Sequence, residues 1–105
     1  MPTRPGQHDS DTRHRWERRR SLIGARLREL RTARALTQES LALESGLSRN
    51  QIIAVEWGRS SIAVERLFDL ADALGVPVSA LLEEPKEMPA RELHRGGRRR
   101  RASND

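Results

Sequence analysis

Apolar positions along this chain fall into short helical stripes separated by glycine, and they begin only after a long polar start. Ile23, Leu27 and Leu30 follow one another at intervals of four and three, the period of one face of an α-helix. They predict a first helix over roughly 21–35. Arg31 falls four residues after Leu27, at the edge of this stripe, where a guanidinium is costly unless it meets a carboxylate. The next segment, LTQESLALESGLSRNQIIAVEWGR over 36–59, predicts two short helices joined at a glycine. Thr37 has a hydroxyl to cap the first of them, which runs through Leu41, Ala42 and Leu43. Gly46 supplies a left-handed turn residue, a conformation that a side chain disfavours. Ser48 restarts the chain, and Gln51 three residues later completes a capping box. Leu41, Leu47, Ile52 and Val55 are the natural core positions. Ile53 and Ala54 then point elsewhere, toward whatever the third helix meets.

A fourth helix is predicted over about 61–74. Leu67, Leu70, Ala71 and Leu74 form its inward stripe, while Glu65, Asp69 and Asp72 face water. Gly75 ends it, with Val76 placed to close a Schellman-type cap. Pro77 suits the first turn of a short fifth helix through Val78, Leu81 and Leu82. These three residues form an apolar end that we expect to carry dimer contacts. Residues 1–20 are polar apart from Trp16 and read as a disordered basic arm, with residues 16–20 a candidate backward extension of the first helix. Residues 86–105, with Pro89, Gly96, Gly97 and the run Arg98 to Arg101, read as a disordered basic tail. The expected fold class is therefore all-α: a five-helix domain over 21–85, with a small core, between two disordered basic tails.

The two central helices have the layout of a helix-turn-helix. In that motif the second helix lies in the DNA major groove with its N-terminal residues at the base edges. Composition agrees with an α-helical reading, since Leu, Ala, Arg and Glu dominate and aromatic residues make up only 3% of the 105 residues. Cysteine is absent, so neither a disulfide nor a thiolate metal site can form, and a reducing, cytoplasmic location is expected. No stretch approaches the ~18 apolar residues of a membrane span, so no membrane partner is expected. The formal net charge of +5 is unevenly spread. Residues 1–20 hold six Arg against Asp9, Asp11 and Glu17, giving +3, and residues 86–105 hold Lys86 and six Arg against Glu87, Glu92 and Asp105, giving +4. Between them, 21–59 carry six Arg and four Glu, whereas 60–85 carry Arg66 against five acids. One basic face turned toward a polyanion would account for this polarity.

The segment from Ile23 to Leu82 resembles the Cro and phage-repressor-like helix-turn-helix family, of the xenobiotic-response-element type. The residues that carry the likeness are IGARLRELR, LTQESLA, GLSRNQIIAVEWGR and LFDLADALGVPVSALL, in order and at the right intervals. The resemblance implies a repressor-like domain that binds operator DNA as a two-fold dimer. It places Arg49 and Asn50 at the main base-reading positions, and Ala54 at one that touches a thymine methyl. Gln38 would bond a backbone phosphate and brace the recognition helix, and Arg59 would contact a second phosphate. Arg31 and Glu56 match a pair buried between helices one and three, which supplies the carboxylate that Arg31 needs. The sequence departs from the family pattern at Ile53, an outward position more often polar, and at Trp57, commonly a small polar or basic residue.

The side-chain chemistry fits these roles. The planar fork of Arg49 matches guanine O6 and N7, and the amide of Asn50 can pair adenine N6 and N7. Ile53 and Ala54 either meet a thymine methyl or, for Ile53, pack sideways on helix two. Thr37 and Ser48, at the two helix starts, join Gln38 and Arg59 as candidate phosphate contacts. Trp57 either packs over the junction of helices three and four or donates its indole N–H to a phosphate. Among the tails, Arg98 to Arg101 would raise non-specific affinity by counterion release. His8, His14 and His94 have no metal-ligand spacing, so neither a metal nor a cofactor is expected, and no nucleophile, base or phosphate loop suggests an enzyme. The expected function is transcriptional regulation by a homodimer occupying double-stranded operator DNA. Its main rival is an antitoxin-like module that binds a protein toxin through the tails and autoregulates its operon. A third reading is a protein-interaction module that has lost DNA binding.

Overall fold

The first helix is longer than the apolar pattern suggests, because an aspartate starts it well before the first core residue. The computed structural model describes residues 9–87. Its elements are α1 (Ser10–Ala33), α2 (Gln38–Ser45), α3 (Arg49–Glu56), α4 (Val64–Leu74) and α5 (Val78–Leu81), with no strand among the described residues. The Asp9 carboxylate accepts from the Thr12 backbone N–H at 2.8 Å and caps α1. The expectation of a disordered arm over 1–20 is therefore corrected for residues 10–20, which are helical. Their physical basis is local: a charged cap, good helix formers and a packed helix to extend. Residues 1–8 and 88–105, including the run Arg98 to Arg101, lie outside the described residues. The start of the expected tail is held in place, since the backbone N–H of Lys86 donates to Glu29 Oε2 at 2.7 Å.

Each of the next two helices opens on a hydroxyl cap. Thr37 accepts from Ser40 N at 2.9 Å and Ser48 from Gln51 N at 3.0 Å, while Gln51 Oε1 accepts in return from Ser48 N at 2.8 Å. Gly46, at φ 83°, breaks α2 and lets Leu47 turn inward. The helices α1, α3 and α4 all end in six-residue backbone closures: Leu36 N to Arg31 O, Arg59 N to Ala54 O and Val76 N to Ala71 O. The left-handed residues in these closures are Ala35, Gly58 and Gly75. Helix α4 starts at Val64, later than its composition suggests, and Ala63 offers it no side-chain cap.

One face of every helix meets the others in a single core. Leu27, Leu41, Ile52, Leu70, Leu74 and Leu81 are fully enclosed. α3 lies between α1 and α2, α4 crosses α2, and α5 closes the far side against α4 and α1. Arg26 ties this closure down, donating from Nε to Ala80 O at 2.8 Å and pairing with Glu83 at 3.0 Å and Glu29 at 3.3 Å. On the opposite side, Arg66 donates to Gly46 O at 2.8 Å and pairs with Asp69, which fixes the turn between α2 and α3 to α4.

Candidate nucleic-acid interface

Burial divides α3 into two faces. Ile52, Val55 and Glu56 are buried, Ile53 and Ala54 are half-buried, and Arg49, Asn50 and Gln51 at its N-terminal turn are exposed. Among the described residues, the side chains of Arg49 and Asn50 have no hydrogen-bond or ion-pair partner. The capping box occupies Ser48 and Gln51, leaving the two side chains between them to project.

The C-terminal end of α3 is clamped. Arg31 Nε donates to Glu56 Oε2 at 2.6 Å and its second terminal nitrogen to Oε1 at 3.1 Å, a two-pronged pair. Arg31 also donates to Leu36 O at 2.8 Å, and Gln38 Nε2 donates to Glu56 Oε1 at 3.0 Å. The Glu56 side chain is only 3% exposed, so helices α1, α2 and α3 meet on one buried carboxylate. Gln38 thus braces α3 from the start of α2, and one of its two amide hydrogens is already engaged. The Thr37 hydroxyl is committed as well, since it accepts from Ser40 N and donates to Ser40 Oγ at 2.9 Å.

Gly24, which residue patterns alone did not single out, makes the clamp possible. A Cβ there would collide with the carbonyl oxygens of Val55 and Glu56, so α1 approaches the end of α3 backbone to backbone. The only hint in the sequence is a glycine inside a helical stripe, which is costly unless packing requires it. Nearby, the Arg59 guanidinium lies 5.9 Å from the Trp57 ring centroid, a cation–π arrangement. Trp57 is 43% exposed, so part of the indole lies at the surface of the α3–α4 turn. Arg28, also missed, is exposed at the rim of a shallow cleft lined by Thr37, Gln38, Glu56 and Trp57. No group of three His, Asp or Glu residues among those described could hold a metal ion.

The sequence profile of the helix-turn-helix family (HTH_3) matches residues 27–81, which contain all of α2 to α5 and the clamped end of α1. The chain belongs to the helix-turn-helix family. Over 56 residues it is 48% identical to a protein of Rhodospirillum rubrum described as a transcriptional regulator in the ATPase CF(0) region, the match covering 53% of this chain and 52% of that protein. It thus spans about half the length of that relative. An HTH-type transcriptional regulator of Sinorhizobium fredii is 37% identical over 70 residues, covering 67% of this chain and 91% of the relative. Among solved structures, the restriction-modification controller protein C.AhdI of Aeromonas hydrophila superposes with a TM-score of 0.59 at 42% identity, covering 59% of this chain and 94% of that one.

Within this helix-turn-helix domain, one of the three expected dimer residues is placed elsewhere. Leu81 is fully enclosed in the monomer core, so it is not available to a partner, whereas Leu82 is 59% exposed and Val78 is partly buried against the core. The reason is rotation: consecutive residues of a helical turn differ by about 100°, and the turn that seats Ala80 and Leu81 in the core carries Leu82 round to the surface. Val64 and Phe68, four apart on α4, add exposed apolar surface that the sequence reading had not singled out. No described helix is long and apolar enough to cross a membrane.

Proposed function

We propose that this protein is a sequence-specific DNA-binding transcriptional regulator that acts from the cytoplasm as a homodimer, by occupying its operator. The observation that carries the reading is the two-sided burial of α3. Its rear face is locked on the Arg31–Glu56–Gln38 network while Arg49 and Asn50 project from its leading turn without a partner among the described residues. Arg49 is the guanine reader and Asn50 the adenine reader, with Ile53 and Ala54 against thymine methyls. The remaining Gln38 hydrogen, the amides at the starts of α2 and α3 behind Thr37 and Ser48, and the Arg59–Trp57 pair would hold phosphates. These contacts orient the domain without reading sequence. The regulator names of the relatives support the same reading.

Two recognition helices about one DNA turn apart, ~34–36 Å, would come from a two-fold dimer. Leu82 and the edge of Val78 are its proposed contacts. Selection of bound duplex from a random pool with the purified protein tests the reading directly and should return a symmetric motif. Arg49→Ala should then relax the preference at one base pair per half-site and cost about 1–3 kcal/mol. A variant that keeps the full preference would remove Arg49 from the base-reading role.

A further inference from the structure

We infer that the arginine-rich start of α1 is a second grip on DNA, a rod that tracks the phosphates flanking the bound half-site. The inference rests on the DNA-binding reading above. Residues 10–20 lie ahead of the segment matched by the family profile and carry five Arg against Asp11 and Glu17. Residues 13–19 are all exposed, and the first buried residue of α1 is Ser21. This length of helix therefore contributes nothing to the core. A polar helix of three turns is marginal alone, but here it extends a packed helix and needs no nucleus of its own.

Arg15, Arg18 and Arg19 stand at positions i, i+3 and i+4 and share one face. No carboxylate among the described residues pairs with them within 4 Å. Like charges so placed repel one another, and a polyanion relieves that repulsion. The same charge argues against a second copy as occupant, since two such rods would oppose each other. Position supplies the remaining argument. Arg20 Nε donates to Gly58 O at 3.4 Å, so the rod leaves the domain at the α3–α4 turn, beside Arg59 and Trp57. From Arg20 back to Ser10 it spans ~15 Å at the helical rise. A duplex carries one phosphate per strand for about every 3.4 Å of its axis, so a rod of that length laid along the duplex passes some four phosphate levels.

The test uses the full chain carrying R15Q, R18Q and R19Q together, with R15K, R18K and R19K as a charge-retaining control. Glutamine and lysine both keep good helix propensity. Affinity is measured against salt on the selected duplex in two lengths, one trimmed to the motif and one extended by a helical turn on each side. On the extended duplex, the Gln variant should lose about 2.7 from the slope of log affinity against log salt, or 0.9 for each of three phosphates. Its deficit then shrinks about 40-fold between about 50 and about 200 mM salt. The Lys variant should keep the wild-type slope, the trimmed duplex should remove the difference, and the selected motif should be the same for all three proteins.

Equal slopes for wild type and Gln variant on the extended duplex would overturn the inference and leave the regulator reading standing. A Lys variant that behaves like the Gln variant would make the effect structural and would also overturn it. So would an unchanged slope with a changed sedimentation coefficient, which would assign the rod to a protein surface. A wild type that selects no DNA at all overturns the regulator reading first, and this one with it.

Discussion

Glu56 shows how much of this domain hangs on a single side chain. Its carboxylate is almost fully enclosed and receives both Arg31 and Gln38, so it joins three helices at one point. Removing one partner of such a pair strands a buried charge, which costs more than removing both. Arg31→Met should therefore destabilise the domain by about 3–5 kcal/mol, and adding Glu56→Leu should recover part of that loss. Denaturant melts of the two variants compare them directly, and equal losses would mean that the carboxylate finds water when Arg31 is gone. Ala35 is a second informative residue. It sits at φ 57°, in the same place in its helix closure that Gly58 and Gly75 occupy in theirs at φ 71°. A left-handed alanine carries a penalty that glycine avoids, partly offset by the greater freedom of glycine in the unfolded chain. Ala35→Gly should stabilise by about 0.5–1 kcal/mol and raise Tm by about 3–6 °C. A lower Tm would show that chain entropy outweighs the backbone strain.

At the scale of elements, the caps are what the sequence announces most clearly. Thr37, Gly46, Ser48 with Gln51, and Gly75 all perform the roles that their chemistry suggests, because each acts within four residues of itself. The start of α1 is the exception. Residues 10–20 have no apolar period to mark a helix, and the Asp9 cap sits twelve residues ahead of the first buried position, Ser21, which is itself polar. The Thr12 backbone N–H, followed by its side chain, holds the Asp9 carboxyl below the ordinary carboxylate range, with Arg15 and Arg13 adding to the effect. An acid whose pKa is lowered by folding stabilises the helix start fully above its unfolded pKa, and this is lost as pH falls through the folded one. Acidification should therefore fray α1 from Ser10 while the core persists, and Asp9→Ala should abolish that transition. Backbone chemical shifts of residues 10–14 across an acid titration give the readout. Shifts that stay helical at the lowest pH would mean that the cap is dispensable.

For the whole molecule, the polarity of charge seen in the sequence is reshaped by internal pairing. Of the six Arg in residues 21–59, Arg26 and Arg31 are consumed by Glu29, Glu83 and Glu56. What remains for a polyanion is Arg28, Arg34, Arg49 and Arg59, a smaller and more local set. The apolar surface is reshaped in the same way, since Leu81 goes inward and Leu82 outward. Leu82→Glu should fold normally, because the side chain is already exposed, yet sediment as a monomer and bind a symmetric site more weakly than wild type. A variant that stays dimeric with undiminished affinity would move the interface elsewhere, with the exposed Val64 and Phe68 of α4 the next surface to probe.

The fold class, all five helices apart from the leading part of α1, and the leading turn of α3 were legible in the chain by itself. Their determinants are local: a hydrophobic period, a hydroxyl before a helix, a glycine after one. The partner of Arg31 became legible only through likeness to a family, because a contact across 25 residues leaves no periodic trace. Tertiary structure alone decided the rest. It put Gly24 against the α3 backbone, turned the Gln38 amide onto Glu56, sent Arg26 to Ala80, and chose between two neighbouring leucines. Each of these depends on how helices cross, and crossing is settled by the shape of the shared core, which no single stretch of sequence contains.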